Sequence, residues 1–128
     1  MKYLLIAGSR NFEDWKIFEM VTREIIDGDE RFTVIVEGGA AGADSMARKY
    51  AAENGMKTVE FTPDWKQYGR AAGPKRNDEM VRFIAERNGT ALYFWDGESK
   101  GTKQCISSAR RKGLKIAIWD TVKGRFME

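Results

Sequence analysis

Residues 33–51 read Thr33-Val34-Ile35-Val36-Glu37-Gly38-Gly39-Ala40-Ala41-Gly42-Ala43-Asp44-Ser45-Met46-Ala47-Arg48-Lys49-Tyr50-Ala51. Three kinds of sequence follow one another without a break. Thr33–Val36 is a short β-branched run with no polar alternation, the pattern of a strand covered on both faces. Glu37–Asp44 is a loop built from small residues. Beyond it the apolar positions Met46, Ala47, Tyr50 and Ala51 recur at helical spacing. Strand, loop and helix in this order make half of a β-α-β unit.

The same succession recurs on either side. Tyr3–Ala7, Thr58–Phe61, Ala91–Trp95 and Lys115–Trp119 are the other strand candidates. Trp15, Phe18, Thr22, Ile25 and Ile26 mark one helical face. Met80, Val81, Ile84 and Ala85 mark another, and Thr102, Cys105, Ile106 and Ala109 a third. Gly28, Gly55, Gly89 and Gly113 stand where these helices should end, as left-handed C-terminal caps. Strict alternation predicts parallel strands joined by right-handed crossovers. The expected fold is a single α/β domain over residues 1–128, a Rossmann-like three-layer sandwich with a five-stranded, mainly parallel sheet. Met1–Ala7 is read as its first strand rather than as a signal peptide. The stretch from Thr121 to Glu128 carries no pattern.

Composition narrows the chemistry. With 128 residues, 42% hydrophobic and 32% charged, the chain can build one core and remain soluble. There is no histidine, which excludes Ser-His and Cys-His catalysis and histidine metal sites. One cysteine, Cys105, excludes an internal disulfide and a thiolate zinc site, and fits a reducing, cytoplasmic compartment. No metal and no cofactor are expected. No apolar run approaches the roughly 18 residues of a membrane span, so no membrane partner is expected. A formal net charge of +3 is too small for nucleic-acid binding by bulk charge.

The loops divide into two groups. Helix-to-strand connections are brief. Strand-to-helix connections hold the unusual residues: Gly8-Ser9-Arg10-Asn11, then Glu37–Asp44, then a long Thr62–Arg76 loop, then Asp96–Thr102. In an open parallel sheet these all emerge at the C-terminal edge of the strands, where ligands bind. The Glu37–Asp44 loop, with a helix directly after it, suits an anion held on free amides; the alternative is a tight turn with Asp44 as a helix cap. It lacks both the Walker A and the dinucleotide fingerprint spacings. Arg10 offers a fork for phosphate, or pairs with Glu13 or Asp14. Ser99-Lys100-Gly101-Thr102 opens a helix, as a ligand turn or as a capping turn. Pro74-Lys75-Arg76-Asn77 opens another, and its cations oppose the helix dipole. Trp65 and Tyr68 either stack on a base or pack the long loop down.

Taken together, four stretches resemble the SLOG superfamily, whose members include the LOG phosphoribohydrolases and the DprA core, and most of all its stand-alone YspA-like branch. They are Gly8-Ser9-Arg10, Glu37–Ala47, Gly73–Met80 and Ser99–Thr102, in that order. The DprA pattern Gly-x-Ala-x-Gly-x-Asp matches Gly38, Ala40, Gly42 and Asp44. Its Pro-x-Arg-Asn matches Pro74, Arg76 and Asn77. The LOG pattern Pro-Gly-Gly-x-Gly-Thr-x-x-Glu is not present, so its acid is not carried over. The resemblance implies a nucleotide-type pocket formed by Gly8, Ser9, Arg10, Gly38, Gly39, Ala40, Gly42, Arg76, Asn77, Ser99, Lys100, Gly101 and Thr102. It also implies a homo-oligomer.

The expected ligand is a nucleotide or nucleotide derivative, AMP- or ADP-ribose-like, held by a sensor or sequestering protein or cleaved at its N-glycosidic bond. Such cleavage needs a carboxylate to activate water. Glu37 and Asp44 are the catalytic candidates, with Asp64 and Asp96 behind them. The alternative is a single-stranded nucleic-acid-binding, DprA-like core.

Overall fold

The computed structural model describes residues 1–127. Six strands form one sheet in the order β3-β2-β1-β4-β5-β6. They are β1 (Lys2–Gly8), β2 (Phe32–Glu37), β3 (Lys57–Glu60), β4 (Thr90–Trp95), β5 (Lys115–Asp120) and β6 (Arg125–Phe126). The helices are α1 (Trp15–Asp27), α2 (Ala43–Glu53), α3 (Trp65–Tyr68), α4 (Ala72–Glu86) and α5 (Lys100–Arg111), with a 3₁₀ turn at Gly69–Ala71.

β1 lies in the middle, paired in parallel with β2 on one side and β4 on the other. Its Leu4, Leu5 and Ile6 are fully buried, as a strand covered on both faces requires. Successive residues point to opposite faces. Leu4 and Ile6 pack with Phe18 and Val21 of α1 and Ala47 and Tyr50 of α2. Leu5 and Ala7 pack with Met80 and Ile84 of α4 and Cys105 and Ile106 of α5. The result is the expected doubly wound, three-layer, Rossmann-like sandwich. The chain runs outward from β1 through β2 to β3, then crosses to β4 on the other side of β1. The connections after β1 and β4 therefore part to opposite faces, which opens a crevice at the C-terminal ends of those two strands.

The sheet has six strands rather than five. β6 is two residues long, too short to show a period, and runs antiparallel to β5. The turn before it is closed by Asp120, whose Oδ1 accepts the amides of Val122 and Lys123 at 2.9 Å each. Phe126 meets the Trp119 ring edge-on, 5.1 Å between centroids. The long third loop is also shorter than expected. Asp64 caps α3 through Gln67 N at 3.0 Å. α4 already begins at Ala72, with Pro74 in its first turn, where a missing N–H leaves no bond unmade. Two expected glycine caps differ as well. Gly28 keeps a right-handed φ of −71°, and Asn88, at φ 53°, takes the left-handed place before Gly89.

Two glycines let the rim loops interlock. A Cβ on Gly8 would lie 2.4 Å from the Phe94 carbonyl oxygen. A Cβ on Gly42 would lie 2.5 Å from the carbonyl oxygens of both Ser9 and Arg10, and Gly42 has φ 71°. The β2–α2 loop thus rests directly on the backbone that follows β1. Gly42→Ala is expected to lower stability by about 3 kcal/mol, from steric overlap and backbone strain together. Gly55→Ala is expected to cost about 1 kcal/mol, because Gly55 shares the left-handed φ but has open space around it. Urea unfolding midpoints at constant m would measure both.

Candidate functional site

The crevice between the ends of β1 and β4 holds a cleft of about 360 Å³. Ala7, Met80 and Cys105 give it an apolar floor. Gly8, Ser9 and Arg10 come from the loop after β1, and Ala40 and Asp44 from the loop and first turn after β2. Arg76 and Asn77 come from α4, and Asp96, Ser99, Gly101 and Thr102 from the approach to α5. Gly38 and Gly39 line an adjoining hollow instead, and Lys100 is exposed and lines neither. Gly42 packs against the backbone below.

The glycine-rich loop is held by the protein's own acids. Asp44 Oδ2 accepts the amides of Gly38 at 3.1 Å and Ala40 at 3.2 Å. Glu37 Oε1 accepts the amide of Gly39 at 2.6 Å and Nη1 of Arg48 at 2.7 Å. Three loop amides that could have met an anion are therefore engaged internally. Asp44 sits in the first turn of α2, where a carboxylate complements the helix dipole. Glu37, the last residue of β2, is fully buried and lines neither the cleft nor the hollow. Its second oxygen, Oε2, is buried and has no hydrogen-bond partner among the described residues.

These burials move the acids. Desolvation pushes the Glu37 carboxyl up to about 7, against the Gly39 amide and Arg48, which favour the charged form. Burial likewise raises Asp44, against the Ala40 amide and the Arg76 charge. Asp96 moves the other way: its Oδ1 accepts the amides of Ser99 at 2.8 Å and Glu98 at 2.9 Å, which hold its carboxyl below the usual range. Of the two secondary acid candidates, Asp96 thus shapes the turn before α5 while lining the cleft, and Asp64 is a helix cap.

Arg76 and Asn77 act as a clamp. Arg76 donates from Nη1 to the Gly38 carbonyl and from Nε to Asn77 Oδ1 at 2.9 Å. Asn77 Nδ2 donates to Gln104 Oε1 at 2.9 Å and to the Gly101 carbonyl at 3.3 Å. The β2–α2 loop, α4 and α5 are thereby tied together, and Asn77 spends its amide on position. Arg10 is exposed, and no hydrogen bond or ion pair of its side chain occurs among the described residues. Ser9 is buried. Ser99 caps α5, and its Oγ lies 3.1 Å from Thr102 Oγ1. Cys105 forms part of the floor, and burial pushes its thiol up to about 11, so it stays protonated. Arg48 was missed in the sequence, although Asp44 and Arg48 stand four apart on one helix face, a spacing that marks neighbours.

A doubly wound sheet with a glycine-rich loop, two arginines and a hydroxyl pair at its strand-order reversal defines a Rossmann-like protein with a crevice at that point. Within that class the chain belongs to the YspA, cpYpsA-related SLOG family, whose profile matches residues 3–68. It is 33% identical over 121 residues to the Gene 61 protein of Mycobacterium phage D29, covering 91% of this chain and 94% of that one. Among solved structures it is similar to DNA processing protein A (DprA) from Streptococcus pneumoniae, with a TM-score of 0.48 and 18% identity. That match covers 91% of this chain and 58% of the DprA chain. A truncated 3-deoxy-D-arabino-heptulosonate 7-phosphate synthase from Thermotoga maritima matches with a TM-score of 0.34 and 14% identity, over 91% of this chain and 50% of that one. The chain thus spans 58% and 50% of the length of these two structures.

Glu37 predicts a pH dependence. Its ordinary value is 4.5 and its folded value about 7, so in between the folded state keeps a proton that the unfolded chain has released. Its contribution to stability must therefore fall as pH rises from about 4.5 to 7. Glu37→Gln keeps the acceptor for Gly39 and Arg48 but cannot titrate. Wild-type stability minus that of Glu37→Gln should decline through this window in urea titrations at stepped pH.

Proposed function

We propose that the chain binds a nucleotide or nucleotide derivative of the AMP or ADP-ribose type in the β1–β4 cleft, as a sensor or sequestering protein. The observation that carries this reading is the convergence of Arg10 and Arg76 on a cleft with an apolar floor and a Ser99–Thr102 hydroxyl pair. Its volume lies at the small end of the roughly 300–1,000 Å³ range of ligand sites. Membership of the SLOG family supports a nucleotide- or nucleic-acid-related role in general. The anion is assigned to the arginines rather than to the loop amides, because Asp44 and Glu37 already hold Gly38, Gly39 and Ala40. Arg10 supplies a guanidinium that engages no other side chain or backbone group among the described residues, and Arg76 a second one oriented by Asn77.

A hydrolytic version of the same reading is favoured by one feature. Asp44 lines the cleft and is held toward its protonated form by burial. A carboxyl so tuned can act on a leaving group or on water at an N-glycosidic bond. Glu37, one strand end away and walled off, is assigned to holding the loop. The alternative ligand, single-stranded nucleic acid, differs in its salt response: several phosphates released from counterions give a steep slope, a single nucleotide a shallow one.

The binding test is a thermal-shift screen of AMP and ADP-ribose. A ligand at 100 times its Kd raises stability by about 2.7 kcal/mol. Arg10→Ala is expected to weaken binding by about tenfold or more while leaving the ligand-free Tm unchanged, since its side chain holds nothing in place. No shift with either compound defeats the reading. Adenine released from AMP, followed by chromatography and abolished in Asp44→Asn, separates hydrolase from binder.

A further inference from the structure

A second hollow of about 380 Å³ adjoins the cleft, above the β2–α2 loop. Thr62, Pro63 and Trp65 form its outer wall, and it shares Arg10, Ala40 and Arg76 with the cleft. The two spaces therefore share two arginines along their common boundary. Trp65 is 50% exposed, in contrast to Trp119 at 8%, and α3, which carries it, buries no residue at all. The indole thus stands half in water on a helix that has no buried residue. The tip of its ring lies 3.5 Å from where a Cβ on Gly73 would stand, so the start of α4 backs it on one side. Residues 62–76, which make this wall and the helix start behind it, carry Lys66, Arg70, Lys75 and Arg76 against Asp64 alone. That equals the +3 of the whole chain, and the remaining residues balance.

We infer that cleft and hollow form one two-armed site, whose ligand is a pair of nucleoside-like groups joined through phosphate. The bridging phosphate lies between Arg10 and Arg76, and one aromatic base lies against Trp65. This rests on the nucleotide reading above and extends it: a mononucleotide fills one arm only. The chemistry follows from the lining. The shared boundary is cationic, which suits the anionic bridge. The outer arm presents a flat aromatic surface, on which a base gains by stacking whatever its identity. Trp65 is thereby the residue that sets preference for two-armed over one-armed ligands. The same linkage occurs in a free dinucleotide and in one step of a single strand.

The test is isothermal titration of the full chain with AMP, diadenosine diphosphate and a roughly ten-nucleotide oligodeoxyadenylate. A two-armed ligand should bind about tenfold or more tighter than AMP. Trp65→Ala should remove that advantage while leaving AMP affinity within about twofold, and Trp65→Phe should restore most of it. Preference for the free dinucleotide identifies a metabolite; preference for the oligomer, with a steep salt slope, identifies a strand. Both outcomes uphold the two-armed site. Equal affinity for AMP and both longer ligands, or a Trp65→Ala loss shared by AMP, overturns it and leaves the nucleotide reading intact. Failure of AMP and of both longer ligands removes the nucleotide reading and this one with it.

Discussion

One carboxylate oxygen, Asp44 Oδ2, gathers the amides of Gly38 and Ala40 and so fixes the course of the chain between β2 and α2. Much of the rim is stacked on that course. Gly42 can lie on the Ser9–Arg10 backbone because the loop turns where it does. The Gly38 carbonyl is presented to Arg76 by the same turn, and Arg76 in turn engages Asn77, which reaches α5 through Gly101 and Gln104. Breaking an interaction at a buried charge leaves its donors unpaired as well, at a cost of about 1–3 kcal/mol for each group. The shape of the cleft is therefore inherited from an acid that lines it and at the same time holds backbone.

This arrangement changes how the glycine-rich loop works. In the phosphate-cradling loops of other α/β proteins, free amides face the ligand. Here the loop is self-satisfied, and its glycines serve close contact between neighbouring turns. The polar groups that line the cleft are instead side chains: Arg10, Arg76 and the hydroxyls near the start of α5. Arginine recognition is directional and needs scaffolding. Arg76 has it in Asn77, whereas Arg10 has only its own backbone, on which Gly42 lies.

Much of this was legible in the sequence because the signals were local. β1, β2 and β4 announce themselves as unbroken apolar runs, and Leu4, Leu5 and Ile6 are indeed buried from both sides. The gathering of loop residues at one rim follows from parallel topology alone. What escaped depended on long-range partners or on very short elements. Nothing near Glu37 in the chain says that its oxygen will meet Arg48 rather than a ligand. β6 has two residues, and α3 has four, below the length at which periodicity speaks. Asn88 displaced Gly89 from the left-handed position because asparagine also tolerates it, while the space beside Gly89 is taken by the Tyr3 carbonyl oxygen.

The two margins of the sheet are finished differently. On the β5 side the short return of the chain through Arg125 and Phe126 pairs with Trp119 and Asp120 and covers the end of that edge, leaving the Lys115–Ala117 stretch outside the pairing. On the other side β3 has four residues, and Lys57, Thr58 and Glu60 are exposed along it. A strand joining there would have to align with a brief ladder and accept unlike charges at both ends, which discourages runaway edge-to-edge aggregation. Brevity and charge thus guard the β3 margin, and a two-residue return guards only one end of the other.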